Sequence, residues 1–159
     1  MIKLPSGVDI KELINDLRMI SWEAAEILLN YAEIIKFSNN KTKIIKNNNS
    51  QDPVTLADLK VNDLVIKRIK DKYKGIDWEI LSEENVKISS LDCNSDADWI
   101  WILDPLDGTK DFIQGTCNYA MHLALNYKKK PYLGIVLIPE KEELWISNGE
   151  KVWCENKDG

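Results

Sequence analysis

The sequence predicts an α+β domain in which two long N-terminal helices pack on an antiparallel sheet. Three observations carry that prediction. Leu13, Leu17, Ile20, Ala24, Ile27, Tyr31 and Ile34 step by three and four, the stripe of an amphipathic helix. From Asp98 onward the period becomes two, with Met121, Leu123, Leu125 and Tyr127 alternating with Ala120, His122, Ala124 and Asn126. Helices come first and strands follow, which separates this class from a parallel doubly wound sheet.

The first helix is expected from Ile10 to Phe37, opened by a capping box of Asp9 with Glu12 and closed at Ser38-Asn39-Asn40, where asparagine tolerates the left-handed conformation. Lys41 to Lys46 reads as a short strand and Asn47 to Pro53 as a polar loop. A second helix runs from Leu56 to Tyr73, with Leu59, Ile66, Ile69 and Tyr73 on one face and Gly75 closing it. Glu79-Ile80-Leu81 reads as a strand with Ser82-Glu83-Glu84-Asn85 at its end, and residues 86–97 as a surface loop. The apolar run Trp99 to Leu103 reads as a buried strand that ends at Asp104-Pro105. After it, Lys128-Lys129-Lys130-Pro131 is a turn, Tyr132 to Ile138 a strand, and Leu144 to Ile146 and Lys151 to Trp153 the arms of a hairpin around Asn148-Gly149.

The 159 residues favour one domain, 1–159, and 44% hydrophobic residues suffice for a packed core. A net charge of -5, from 21 basic and 26 acidic residues, argues against binding to a nucleic-acid polymer or a membrane surface. It leaves a small anionic substrate open, because a local cation outweighs the global charge. Cys93, Cys117 and Cys154 form no C-x-x-C pair, and His122 is the single histidine, so neither a disulfide framework nor a zinc site is indicated. No apolar run reaches the ~18 residues of a membrane span, and the N-terminus lacks a signal pattern. A reducing cytoplasm is the expected setting.

Three acidic clusters lie next to expected element ends: Asp52 to Asp58, Ser82-Glu83-Glu84, and Asp104-Pro105-Leu106-Asp107-Gly108-Thr109. Each has a bland reading. Thr55 with Asp58 is a capping box for the second helix; Glu83-Glu84 is a solvated loop; Asp104-Pro105 and Asp107-Gly108 are common turn pairs. The chemical reading is that carboxylates this close repel one another and call for a hard divalent cation, while flexible Gly-Thr backbone holds a phosphate.

Asp52-x-Val54-Thr55-x-x-Asp58, then Ser82-Glu83-Glu84, then Trp101-Ile102-Leu103-Asp104-Pro105-Leu106-Asp107-Gly108-Thr109 resembles the inositol monophosphatase superfamily of magnesium-dependent phosphomonoesterases, over about Trp22 to Trp153. Leu81-Ser82-Glu83-Glu84, Gly108-Thr109-Lys110-Asp111-Phe112-Ile113, and Pro131 to Pro139 with Gly134 resemble its 3'(2'),5'-bisphosphate nucleotidase branch. The resemblance implies that Mg2+ is held by Glu83, Asp104, the Leu106 carbonyl and Asp107. It implies that Asp58 with Thr109 orients or deprotonates the attacking water, and that Asp107, Gly108 and Thr109 contact the substrate. The reaction it implies is removal of the 3'-phosphate from adenosine 3',5'-bisphosphate, a by-product of sulfate activation. An inositol or other sugar monophosphate is the alternative substrate.

The superfamily continues into a C-terminal portion with a Trp-Asp-x-Ala-Ala-type motif that completes the second metal site, and the sequence through Gly159 contains none. Trp22-Glu23-Ala24-Ala25 has Glu for Asp and reads as helix packing. The expectation is therefore an N-terminal part with the C-terminal portion absent, which opens a third reading as a catalytically incomplete binding module or remnant. A sheet missing its partner should leave an apolar edge or face exposed and favour self-association. His122 and Cys117 are expected to play structural parts, and the six tryptophans to serve core and hairpin packing.

Overall fold

The computed structural model describes residues 3–37, 45–47, 54–85 and 96–158. The expected helix stop at Ser38-Asn39-Asn40, Asp52 and Cys93 lie outside the described residues.

Helix α1 spans Ile10–Phe37, as its stripe predicts. Asp9 Oδ1 accepts from the amides of Lys11 at 2.9 Å and Glu12 at 3.0 Å, which satisfies two donors that the first turn leaves without helical partners. A short antiparallel pair joins β1 (Ile45–Asn47) to β2 (Val54–Thr55), which runs directly into α2 (Leu56–Lys72). Strands β3 (Glu79–Ser82), β4 (Trp99–Asp107), β5 (Ala120–Tyr127), β6 (Lys130–Ile138), β7 (Glu143–Ser147) and β8 (Val152–Glu155) form one sheet in that order. A six-residue helix α3, Thr109–Gln114, follows β4, and a 3-10 turn at Pro139–Lys141 follows β6.

The two helices lie on one face of this sheet. Leu13, Leu17 and Leu28 of α1 and Val61 and Val65 of α2 are buried against Trp101, Leu103, Leu123, Leu125, Ile135 and Ile146. Each fully buried leucine contributes on the order of 1.5–3 kcal/mol relative to an exposed one, so the layer contact is the main stabilising term. Trp22 packs on this core while Ala24 and Ala25 are buried within it, and Glu23 pairs outward with Arg68 at 2.7 Å. The Trp22-Glu23-Ala24-Ala25 segment is thus helix packing.

Two expectations need correction. The sheet is mixed, not antiparallel throughout, because β3 runs parallel to β4 with Ile80 opposite Trp101 and Ser82 opposite Leu103. The chain between them, residues 83–98, is long enough to cross back and restart in the same direction. Strand β4 also continues past Leu103 to Asp107 instead of turning at Asp104-Pro105. The register against β5 breaks between Asp104 and Asp107, and Asp104 Oδ1 accepts from the Leu106 amide at 3.1 Å. The break absorbs Pro105, which has no N–H for a ladder. The last hairpin has a first arm longer by one residue at each end than expected and a second arm that starts one residue later, with Asn148 Oδ1 taking the amides of Glu150 at 3.1 Å and Lys151 at 2.9 Å.

The far end of the sheet is tied to α1 by a two-pronged ion pair, Arg18 Nε to Glu155 Oε2 at 2.6 Å and Arg18 Nη2 to Glu155 Oε1 at 2.7 Å. Hydrogen bonding from Arg18 holds the Glu155 carboxyl below its usual range, partly offset by burial. A lowered folded-state pKa gives stability that is present above the unfolded carboxylate value and lost as pH falls through the folded one. Arg18→Ala is expected to cost about 1 kcal/mol at pH 6, a figure reduced for the partial solvent exposure of Arg18. Urea midpoints of the two proteins should converge as pH falls below ~4 toward 3, where the unfolded-state carboxylate is protonated first. A gap that persists at pH 3 would show that Arg18 acts by packing alone. Among the described residues no helix is long and apolar enough to cross a membrane.

Candidate active site

The three acidic segments meet at one end of the sheet because three element boundaries meet there. The α2 N-terminus supplies Thr55 and Asp58, the end of β3 supplies Glu83 at the start of a helical turn, and the β4–α3 junction supplies Asp104 to Thr109.

At the α2 N-terminus the capping box forms. Thr55 Oγ1 accepts from the amides of Ala57 at 3.1 Å and Asp58 at 3.4 Å, and Asp58 Oδ2 accepts from the Thr55 amide at 2.8 Å and from the Thr55 hydroxyl. The same carboxylate also faces the β4–α3 junction, where Thr109 Oγ1 stands 3.3 Å from Asp58 Oδ1 and 2.9 Å from the Leu106 carbonyl. The bland and chemical readings of Asp58 therefore hold together, one on each oxygen. Burial, with Asp58 2% exposed, pushes its pKa up, and the hydrogen bonds from Thr55 and Thr109 pull against that. Thr109 has one hydroxyl proton and two acceptors in reach, so it can pass a hydrogen bond between the loop and Asp58 while its lone pairs accept from a third group.

Thr55→Ala is expected to destabilise the protein by about 1–2 kcal/mol, because the cap and the support of Asp58 are lost together. Thr55→Ser keeps the hydroxyl and should recover most of that loss in urea unfolding. Equal losses in both variants would mean that the threonine methyl, not the cap, matters.

Asp104 is the crowded member of the site. Its carboxyl is pushed up to about 7, first by burial and then by the charge of Glu83, which lies within hydrogen-bonding contact, with a smaller contribution from Asp107. The structure thus brings Glu83 and Asp104 together. Asp107 is turned outward, its side chain 59% exposed, with Oδ2 3.9 Å from His122 Nε2. Among the described residues no three His, Cys, Asp or Glu side chains form a group that would by themselves enclose a metal. Two hard carboxylate oxygens close enough to repel each other nevertheless fit a magnesium ion, which keeps several of its waters and commonly takes only one or two protein carboxylates. The Leu106 carbonyl, next to them, already accepts from Thr109 and has a second lone pair.

Gly108 begins α3 with φ +82, and a Cβ there would lie 2.6 Å from the Asn118 carbonyl oxygen. Only glycine allows this loop both its left-handed turn and its close approach to the segment that leads into β5. Phe112, buried beneath α3, stacks edge-on against Tyr119 at 4.8 Å and anchors the loop to the core.

His122 stands directly across the ladder from Asp104, a position that alternation along β5 alone does not reveal. The register runs unbroken from Trp99 opposite Tyr127 to this pair and shifts only between Asp104 and Asp107. Cys117 and Cys154 are free thiols.

The inositol monophosphatase family model matches residues 9–158. The chain is 33% identical over 128 residues to the chloroplastic bifunctional phosphatase IMPL2 of Arabidopsis thaliana, covering 79% of this chain and 35% of that protein. It is 30% identical over 103 residues to the 3'(2'),5'-bisphosphate nucleotidase CysQ of Salmonella typhimurium, covering 65% and 40%. Inositol monophosphatase 2 of Solanum lycopersicum is 30% identical over 124 residues, covering 78% and 46%. The fold matches the Thermotoga maritima IMPase with a TM-score of 0.70 at 21% identity, covering 91% of this chain and 51% of that one. The extragenic suppressor protein suhB of Bartonella henselae also gives 0.70 at 20% identity, covering 92% and 52%. The chain spans about half the length, or less, of these relatives.

Proposed function

Because this chain belongs to the inositol monophosphatase family, we propose that it carries the metal- and phosphate-binding portion of a magnesium-dependent phosphomonoesterase acting on the 3'-phosphate of adenosine 3',5'-bisphosphate. The observation that carries this reading is the crowding of Asp104 by Glu83 beside the Gly108-Thr109 loop. Two adjacent carboxylates, with Asp104 pushed up by burial and by its neighbour, favour a bound cation over two bare charges. Glu83, Asp104 and the Leu106 carbonyl hold Mg2+ in this reading, with Asp107 at the outer side. The ion supplies electrostatic stabilisation of charge on the phosphoryl group and a more acidic bound water.

The chain's own residues do the rest. Asp58, fixed on Oδ2 by the cap, keeps Oδ1 aimed at Thr109, so a water on the Thr109 hydroxyl is oriented and its proton has a path to Asp58. The Gly108 and Thr109 amides lie where backbone can approach a phosphate, with Asp107 as a further substrate contact. Free thiols at Cys117 and Cys154 suit a reducing cytoplasm.

The second reading is an inositol or other sugar monophosphatase, favoured by sequence similarity of equal strength to relatives of both names. The third is a binding module without turnover. Phosphate release from adenosine 3',5'-bisphosphate and inositol 1-phosphate, each at equal concentration with Mg2+, separates them. The proposal expects faster release from the nucleotide. Preference for the inositol ester selects the second reading, and Mg2+ binding with no release from either selects the third.

A further inference from the structure

Asn62 is a buried polar side chain, 5% exposed, that the proposed chemistry does not use. Asparagine ranks low as a helix former, and burying its amide costs free energy unless both ends find partners. Here both ends do. Asn62 Oδ1 accepts from the Ser82 hydroxyl, and Asn62 Nδ2 donates to Asn85 Oδ1 at 3.4 Å.

These two partners stand on either side of Glu83. Ser82 is buried, ends β3 and pairs with Leu103, so it is the last point at which the ladder fixes this segment beside β4. Glu83 to Asn85 then form one helical turn, too short to hold its shape alone. The turn buries Glu84 and leaves Glu83 exposed. Asn62 spans it, bonded before Glu83 and after it. Asn62 also follows Asp58 by four residues on α2, which puts the two buried side chains on one helix face. The helix that carries Asp58 is thereby bonded, one turn on, to the segment that carries Glu83.

Crowding gives those bonds a task. Glu83 and Asp104 lie in hydrogen-bonding contact, and two carboxylates that close repel when both are charged. A loosely held turn would relieve the repulsion by moving away from β4, and the geometry for a cation would be lost. Hydrogen bonds on both sides of Glu83 oppose that movement.

We propose that Asn62 is a positioning residue of the metal site, which holds Glu83 against Asp104 by bonding Ser82 and Asn85 and fixes both to the helix of Asp58. This role presupposes that Glu83 and Asp104 hold Mg2+ as proposed.

Isothermal titration calorimetry of Mn2+, standing in for Mg2+, into the whole chain tests it. Asn62→Ala is expected to bind Mn2+ about tenfold more weakly than the wild type, the lower end of the loss seen when a metal ligand's own hydrogen-bond partner is removed. The double variant Ser82→Ala/Asn85→Ala removes the same bonds from the other side and should weaken binding equally. Adding Asn62→Ala to it should change nothing further, because the three side chains act as one network. The double variant also stands in for Asn62→Ala if that protein does not fold. Arg18→Ala, which loses stability at the far end of the sheet, should keep wild-type affinity, so a loss at Asn62 is not a general effect of a weaker fold. Wild-type affinity in folded Asn62→Ala or in the double variant, or a further loss when the two are combined, overturns the positioning role and leaves the Glu83–Asp104 site standing. A wild type that binds no Mn2+ overturns the site and the role together.

Discussion

Replacing Asp104 with Asn is expected to lower Mg2+-dependent phosphate release by more than about a hundredfold, since even groups one shell out from a metal are worth 10–100-fold. The same substitution should stabilise the metal-free chain. Asp104 stands half-buried beside Glu83, and its carboxyl is pushed up to about 7 by burial and by that neighbour. At pH 8 the Asp104 carboxyl is ionised beside Glu83, and the amide removes that charge without changing the shape of the side chain. A gain of about 1 kcal/mol corresponds to a rise of 2–4 °C in Tm for a chain of this size. Addition of Mg2+ should then raise the Tm of the wild type and leave Asp104→Asn unmoved. Opposite effects on activity and stability mark a site held under electrostatic strain. A variant that is both inactive and less stable would instead make Asp104 a structural residue of the β4 bulge, acting through its 3.1 Å hydrogen bond to the Leu106 amide.

Gly108→Ala is expected to destabilise the protein by about 2–4 kcal/mol. Left-handed backbone costs an L-residue roughly 1–2 kcal/mol, and forced overlap in a packed region adds about 1–3 kcal/mol. The overlap is with backbone, the Asn118 carbonyl oxygen 2.6 Å from the new Cβ, so no side-chain rotation relieves it. Gly115 at the other end of α3 is a built-in control. It has φ +77, but its nearest neighbour is the Lys36 Cγ at 4.0 Å, so Gly115→Ala should cost only about 1 kcal/mol for the backbone. Urea unfolding of the pair separates conformation from contact. Equal losses would show that the approach to Asn118 is not what fixes Gly108.

The candidate site was legible in the sequence wherever its geometry is set by neighbours along the chain. Asp104, Pro105, Asp107 and Gly108 form one short segment, and Thr55 with Asp58 announces its cap by spacing alone. Long helices were equally plain, because α1 repeats its stripe from Leu13 to Ile34, about six turns. What escaped depended on pairing between distant segments. The parallel pairing of β3 with β4 is a direction that no pattern inside either strand encodes. The place of His122 opposite Asp104 follows from a ladder register that runs unbroken from Trp99 opposite Tyr127, and Asp107, turned outward, lies beyond the break that follows it. Helix α3 has six residues, too few for a 3.6-residue period to show.

Titration of Mn2+ as a spectroscopic stand-in for Mg2+, followed by electron paramagnetic resonance on the wild type, Glu83→Gln and Asp104→Asn, tests the central claim most directly. One saturable ion in the wild type, displaced by Mg2+ and lost or strongly weakened in both variants, is the predicted result. No bound ion in the wild type, or binding undiminished in Asp104→Asn, would contradict it.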